Sequence, residues 1–158
     1  MLGVEVNSSL TATDHVSRLL ASCSSLLYAL RVLRSHGLPD QSLKDVYYAT
    51  VIGKLMYCAP VWHGFCTASD YACLDSFLHR CVKLGYAGQL ATATDLFSEA
   101  DDALFCSVLY NKAHVLHSFL PQIFYSPRAR SHNKSLICKT SDLNERNFLV
   151  RIIYKDCY

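Results

Sequence analysis

The stretch from residue 13 to residue 36 leaves this chain little freedom. Val16, Leu19, Leu20, Cys23, Leu26, Leu27, Leu30 and Leu33 recur at three- and four-residue spacing, the period that gathers side chains on one face of an α-helix. Thr11, Thr13 and Asp14 offer caps at its start, and Gly37 with Pro39 behind it stops the pattern. A helix this long with an apolar stripe must bury that stripe, so the chain is expected to pack helix on helix. A second stripe, Arg18, Ser22, Ser25 and Ala29, is small with a charge at one end. It would let another helix or a nucleic-acid strand approach closely.

The rest of the chain supplies partners. Asp40 can cap a second helix with Leu43, Val46, Tyr47, Val51 and Leu55 as its apolar positions, which Pro60 ends. A third is expected after Ser69 or Asp70, through Leu74, Phe77, Leu78, Cys81 and Leu84, stopping near Gly85 and Gly88. Thr94 or Asp95 starts a fourth, with a break expected near Asp101. Leu2-Gly3-Val4-Glu5-Val6 alternates as a short strand does, and 147–154 is read as a strand or a short helix. The expected fold is therefore mainly α: about four amphipathic helices in a small bundle, a short N-terminal strand within 1–10, and an irregular basic tail. The division is 1–121 for the helical domain and 122–158 for the tail.

With 158 residues, 51% of them apolar, the chain can bury a core. Its net charge of +2 hides an asymmetry: residues 1–123 hold eight Lys and Arg against ten Asp and Glu, whereas 124–158 hold seven against three. A basic tail can meet phosphate or simply be solvated. The first ten residues lack the basic start and apolar run of a signal peptide, and no uninterrupted apolar run reaches the roughly 20 residues of a membrane helix. The expectation is an intracellular protein with no membrane partner. The eight cysteines are accordingly expected as free, mostly buried thiols rather than disulfides.

Several short stretches occur in an order that carries a resemblance. Leu2-Gly3-Val4, then Leu10-Thr11-Ala12-Thr13-Asp14-His15-Val16, are followed by Leu30-Arg31-Val32-Leu33-Arg34 and by the hexapeptide Tyr57-Cys58-Ala59-Pro60-Val61-Trp62. Downstream come Leu74 to Cys81, His114-Val115-Leu116-His117-Ser118-Phe119-Leu120-Pro121, Arg128-Ala129-Arg130-Ser131-His132-Asn133 and Asn147-Phe148-Leu149-Val150-Arg151. In this order they resemble the thumb and post-thumb region of non-LTR retrotransposon reverse transcriptases of the Jockey and CR1 type, whose hexapeptide reads Tyr-Ala-Ser-Pro-Val-Trp. Ala12 stands where that family has Trp, and His79 where it has Gln. Leu2, Gly3, Val4, His15, Tyr57, Pro60, Val61 and Trp62 match the family's signature positions and are expected to be structural; the last four are expected in the core.

The resemblance implies a helical region that grips an RNA or DNA template-primer through its phosphates, beside palm and fingers that this sequence lacks. The family's polymerase chemistry uses aspartates that hold two Mg²⁺ ions, and these lie upstream of the Leu-Gly-Val stretch. The chain is therefore expected to be no enzyme and to need no cofactor of its own. Glu99-Ala100-Asp101-Asp102 shares two letters with the palm motif but reads as a charge cluster at a helix start. The phosphate-contact candidates are Arg18, Arg31 and Arg34 on the first helix and Arg128, Arg130, Lys134 and Arg151 in the tail.

Other chemistries find no support in the spacing. Cys58, His63, Cys66, Cys73, His79 and Cys81 contain no Cys-x-x-Cys pair, no phosphate-binding loop follows Gly85 or Gly88, and no nucleophile elbow accompanies the histidines. His114 and His117 are read as packing or capping residues. The alternative to a polymerase fragment is a relic or domesticated helical module that binds a protein partner.

Overall fold

The structure, a computed structural model, describes residues 3–88, 92–120 and 146–155. The chain divides into two compact units, Met1–Ser98 and Glu99–Tyr158.

The first unit is built on α1, Thr13–Ser35. Val16, Leu19, Cys23, Leu27 and Leu30 form its buried stripe, while Leu33, at the end of the expected stripe, is 39% exposed. Gly37 ends the helix: its φ of +85° turns the chain so that Leu38 N–H reaches back to Leu33 O at 3.2 Å. By length and composition α1 could cross a membrane.

Against α1 pack α2 (Asp40–Tyr47), a π-turn (Tyr48–Ile52), α3 (Gly53–Met56) and α5 (Ala68–Lys83). Asp40 is the first residue of α2 rather than its cap, a position held by Pro39. The π-turn is where Thr50 Oγ1 donates to Val46 O at 2.6 Å, a back-bond of the kind that distorts helices.

After α3, Tyr57 is extended and Cys58 is left-handed (φ 52°), and α4, Ala59–Trp62, begins with Pro60 at a tolerated first-turn position. Trp62 and Ala59 are fully buried. The Trp62 ring meets His15 and Phe97 edge-on, each at 5.1 Å, and its Nε1 donates to Tyr57 O at 3.1 Å.

α5 starts with a reciprocal cap. Thr67 Oγ1 accepts from Asp70 N–H while Asp70 accepts from Thr67 N–H. The same carboxylate oxygen takes Thr13 Oγ1 at 3.0 Å, so Asp70, 4% exposed, ties the start of α1 to the start of α5. At the far end Gly85 (φ +77°) turns Tyr86 into the core.

α6, Ala93–Tyr110, is one continuous helix, so the break expected near Asp101 does not occur. It opens on a second Thr-Asp pair, with Thr92 Oγ1 and Asp95 exchanging bonds of 2.8 and 3.1 Å. Within the second unit, α7 (Phe148–Tyr154) forms a helix where the sequence left a strand open. Ile152 and Ile153 pack with Phe105, Leu109, Leu120 and Phe148.

One expectation needs correction. Among the described residues there is no β-strand. A strand needs a second to share its ladder, and 3–7 have none; instead Asn7 Oδ1 accepts from Ser9 and Thr11 N–H at 3.0 and 2.9 Å, which closes a turn ahead of α1. Leu2, Arg128, Arg130 and Lys134 lie outside the described residues, as does most of the basic tail.

Candidate nucleic-acid interface

Residues 15–39 contain no Asp or Glu, yet they include three arginines. Because α1 buries one stripe, helical geometry sends Arg18, Ala21, Ser25, Tyr28, Arg31 and Val32 to the other side. All six are exposed. Arg18 and Arg31 are thirteen positions apart, about 20 Å along the axis and about 140° around it, so they stand toward the two flanks of the exposed surface, with Ala21, Ser25 and Tyr28 between them. A surface of this kind offers cations at its ends and little obstruction at its middle.

The candidates divide sharply by what holds them. Arg31 is exposed. Arg18 is ion-paired with Glu5, both more than half exposed; such a pair is worth at most about 1 kcal/mol. Arg34 is used internally: Nη1 donates to Leu84 O at 2.8 Å, the guanidinium lies 4.3 Å from the centre of the Tyr86 ring, and Nε is 3.9 Å from Asp40. Arg151 is also used internally, with Nε and Nη2 donating to Asp101 at 2.9–3.1 Å and Nη1 to Arg146 O at 2.9 Å.

The signature residues divide as well. Trp62 is core, and His15 is half-buried against it. Burial, then the neighbouring Arg18, holds the His15 imidazole below its ordinary pKa, with Glu5 opposing. Pro60 is half-buried, but Tyr57 and Val61 are 57% and 51% exposed, contrary to the expected core placement. The left-handed Cys58 is the cause, since it breaks the register between α3 and α4. Gly3 has φ +68°, and Val4 is half-buried.

Two cations that the sequence reading did not single out lie beside α1. Lys54 of α3 donates to Ser22 Oγ at 2.5 Å, and Arg80 of α5 donates to Ser24 Oγ at 3.2 Å. Ser22 and Ser24 are two positions apart, about 200° around the helix, so the two cations reach α1 from opposite sides. No periodicity in the sequence announces this; it follows from how α3 and α5 pack.

Asp101 is taken by Arg151, and Asp102 by Lys155 at 2.6 Å, both in the middle of α6 rather than at a helix start. Among the described residues no cluster of His, Cys, Asp and Glu could hold a metal ion. Of the six described cysteines, Cys23 and Cys81 are buried, Cys58 and Cys66 half-buried, and Cys73 and Cys106 exposed. Burial pushes the Cys23 thiol up to about 11 and the Cys66 thiol up to about 12, which leaves both protonated and unreactive at neutral pH. His114 is a capping residue: its Nδ1 accepts from Leu116 N–H at 3.1 Å.

The longest helix of the first unit turns to solvent a face that carries Arg18 and Arg31, with Asp14 one turn before Arg18 and Glu5 paired with it. No family model, curated protein or solved structure matches the chain.

Proposed function

We propose that this chain is the thumb and post-thumb part of a non-LTR retrotransposon reverse transcriptase, acting inside the cell to grip a template-primer duplex and doing no polymerisation itself. The observation that carries the reading is the outer face of α1. Arg18 and Arg31 stand exposed on a helix whose residues 15–39 include no carboxylate, the acids at its start being Asp14 and the Glu5 that pairs with Arg18, and Lys54 and Arg80 flank it. Phosphate neutralisation by such side chains positions a duplex without reading its bases, which suits an enzyme that must copy any sequence. The ordered motifs supply the family, and the catalytic aspartates belong to the palm of the parent polymerase.

The test uses the purified chain with an RNA–DNA hybrid, dNTPs and Mg²⁺. The expected result is salt-sensitive binding with no primer extension. Primer extension by the purified chain, or no binding to the hybrid at low salt, would contradict the reading. A protein-binding module is favoured by one observation, the exposure of Tyr57 and Val61. In the polymerase reading, palm or fingers cover those side chains.

A further inference from the structure

Glu5 belongs neither to α1 nor to the turn ahead of it, yet its carboxylate closes on Arg18, the cation at one flank of the exposed face. We infer that residues 3–6 form a self-masking arm, whose Glu5 occupies Arg18 in the free chain and withdraws when a duplex binds. This regulatory contact rests on the interface reading above and acts on the same face.

The turn behind the arm sets its direction. Asn7 Oδ1 accepts from Ser9 and Thr11 N–H at 3.0 and 2.9 Å, its Nδ2 donates to Thr11 Oγ1 at 2.7 Å, and its backbone N–H donates to Thr11 O at 3.0 Å. Ala12 N–H then donates to Phe65 O at 2.9 Å, which pins the far side of the turn to the bundle. The chain ahead of Asn7 is thereby folded back, and Glu5 meets a residue thirteen positions later.

The arm itself is lightly held. Residues 3–6 make no backbone hydrogen bond with any described residue, Val4 is half-buried, and Val6 is 40% exposed. Both members of the ion pair are more than half exposed, so Glu5 can leave without opening the core or the Asn7 turn. Arg18 also has an acid on its own helix. Asp14 lies four positions earlier, the spacing at which two side chains meet across one turn, but the guanidinium pairs with the arm instead. The Glu5 charge reaches His15 as well, where it opposes burial and Arg18 in setting the imidazole pKa.

Masking of this kind sets a threshold. A lone phosphate must displace Glu5 for a single contact, whereas a duplex that also meets Arg31 offsets the lost pair with further contacts made in the same event.

The experiment uses the full chain with Glu5→Gln, Arg18→Gln and both together, all at exposed positions. In fluorescence anisotropy with an RNA–DNA hybrid, Glu5→Gln is expected to bind about threefold more tightly than the unmodified chain, as suits one exposed pair, and to change nothing in the Arg18→Gln background. Without nucleic acid, phenylglyoxal is expected to modify Arg18 faster in Glu5→Gln than in the unmodified chain, read by mass spectrometry. Unchanged or weaker hybrid binding by Glu5→Gln, an equal gain in the Arg18→Gln background, or equal modification rates would overturn the masking arm and leave the α1 face standing. A chain that binds no hybrid, with or without Glu5, removes the proposed function and this inference with it.

Discussion

Trp62 and Tyr57 stand five residues apart in one signature hexapeptide and do opposite work. The indole is fully buried among His15, Phe97 and the α1 core, whereas the Tyr57 ring is mostly in water and contributes its backbone carbonyl to the indole N–H. Trp62→Ala is expected to cost about 3–5 kcal/mol and Tyr57→Ala no more than about 0.5 kcal/mol, read as midpoints of urea unfolding. Equal losses would show that the hexapeptide packs as one unit. The core role of Trp62 was legible from its apolar surroundings. The exposure of Tyr57 and Val61 was not, because a left-handed residue such as Cys58 leaves no periodic trace. His15 gives a pH signature at the same site. Its pKa is below the ordinary 6.5 in the folded chain, so the unfolded chain takes up the proton first. Stability is then full above pH 6.5 and falls as the pH drops through the folded value. His15→Asn should flatten that fall between pH 8 and pH 5 in thermal unfolding; a wild-type Tm that rises on acidification through this range would contradict it.

The long helices were legible in the sequence; their starts, and the short helices α3 and α4, were not. The apolar periods of α1, α2, α5 and α6 follow directly from residue spacing, but Asp70 and Asp95 draw attention as caps when each is the third helical residue and the preceding Thr67 or Thr92 holds the cap. In a reciprocal cap the acid and the hydroxyl are three positions apart and act together, so the acid alone misplaces the boundary. Asp70 also fastens α5 to Thr13 of α1. Asp70→Ala is therefore expected to cost about 2–3 kcal/mol, against about 1 kcal/mol for an ordinary cap, with the excess shared with Thr13→Ala in a double-mutant cycle. Additive losses would mean that the Thr13 bond contributes nothing. In the second unit, Arg151 holds α7 on α6 through Asp101, which is 5% exposed. Arg151→Ala leaves that carboxylate buried without its cation and is expected to destabilise the unit by about 3 kcal/mol. Arg151→Lys should recover only part of this, since an ammonium cannot make the two-point contact. Full recovery by Lys would contradict the geometry.

At the scale of the whole molecule, what the sequence offered was a set of arginines, and what the fold added was a sorting of them. Arg34 and Arg151 are occupied by carbonyls, rings and carboxylates of the chain itself, while Arg31 faces water, Arg18 is held only by its exposed pair with Glu5, and Lys54 and Arg80 join them from other helices. Net charge could not reveal this, because +2 spread over 158 residues says nothing of which cations are already paired. The account's central claim is that the outer face of α1 grips a duplex through phosphates. The most direct measurement is the salt dependence of RNA–DNA hybrid binding for the unmodified chain and for the Arg18→Gln/Arg31→Gln double variant. A slope of log affinity against log salt that becomes shallower by about two in the double variant, with affinity reduced at every salt concentration, is the predicted result. Binding that is insensitive to salt, or a double variant with the unmodified slope, would contradict it.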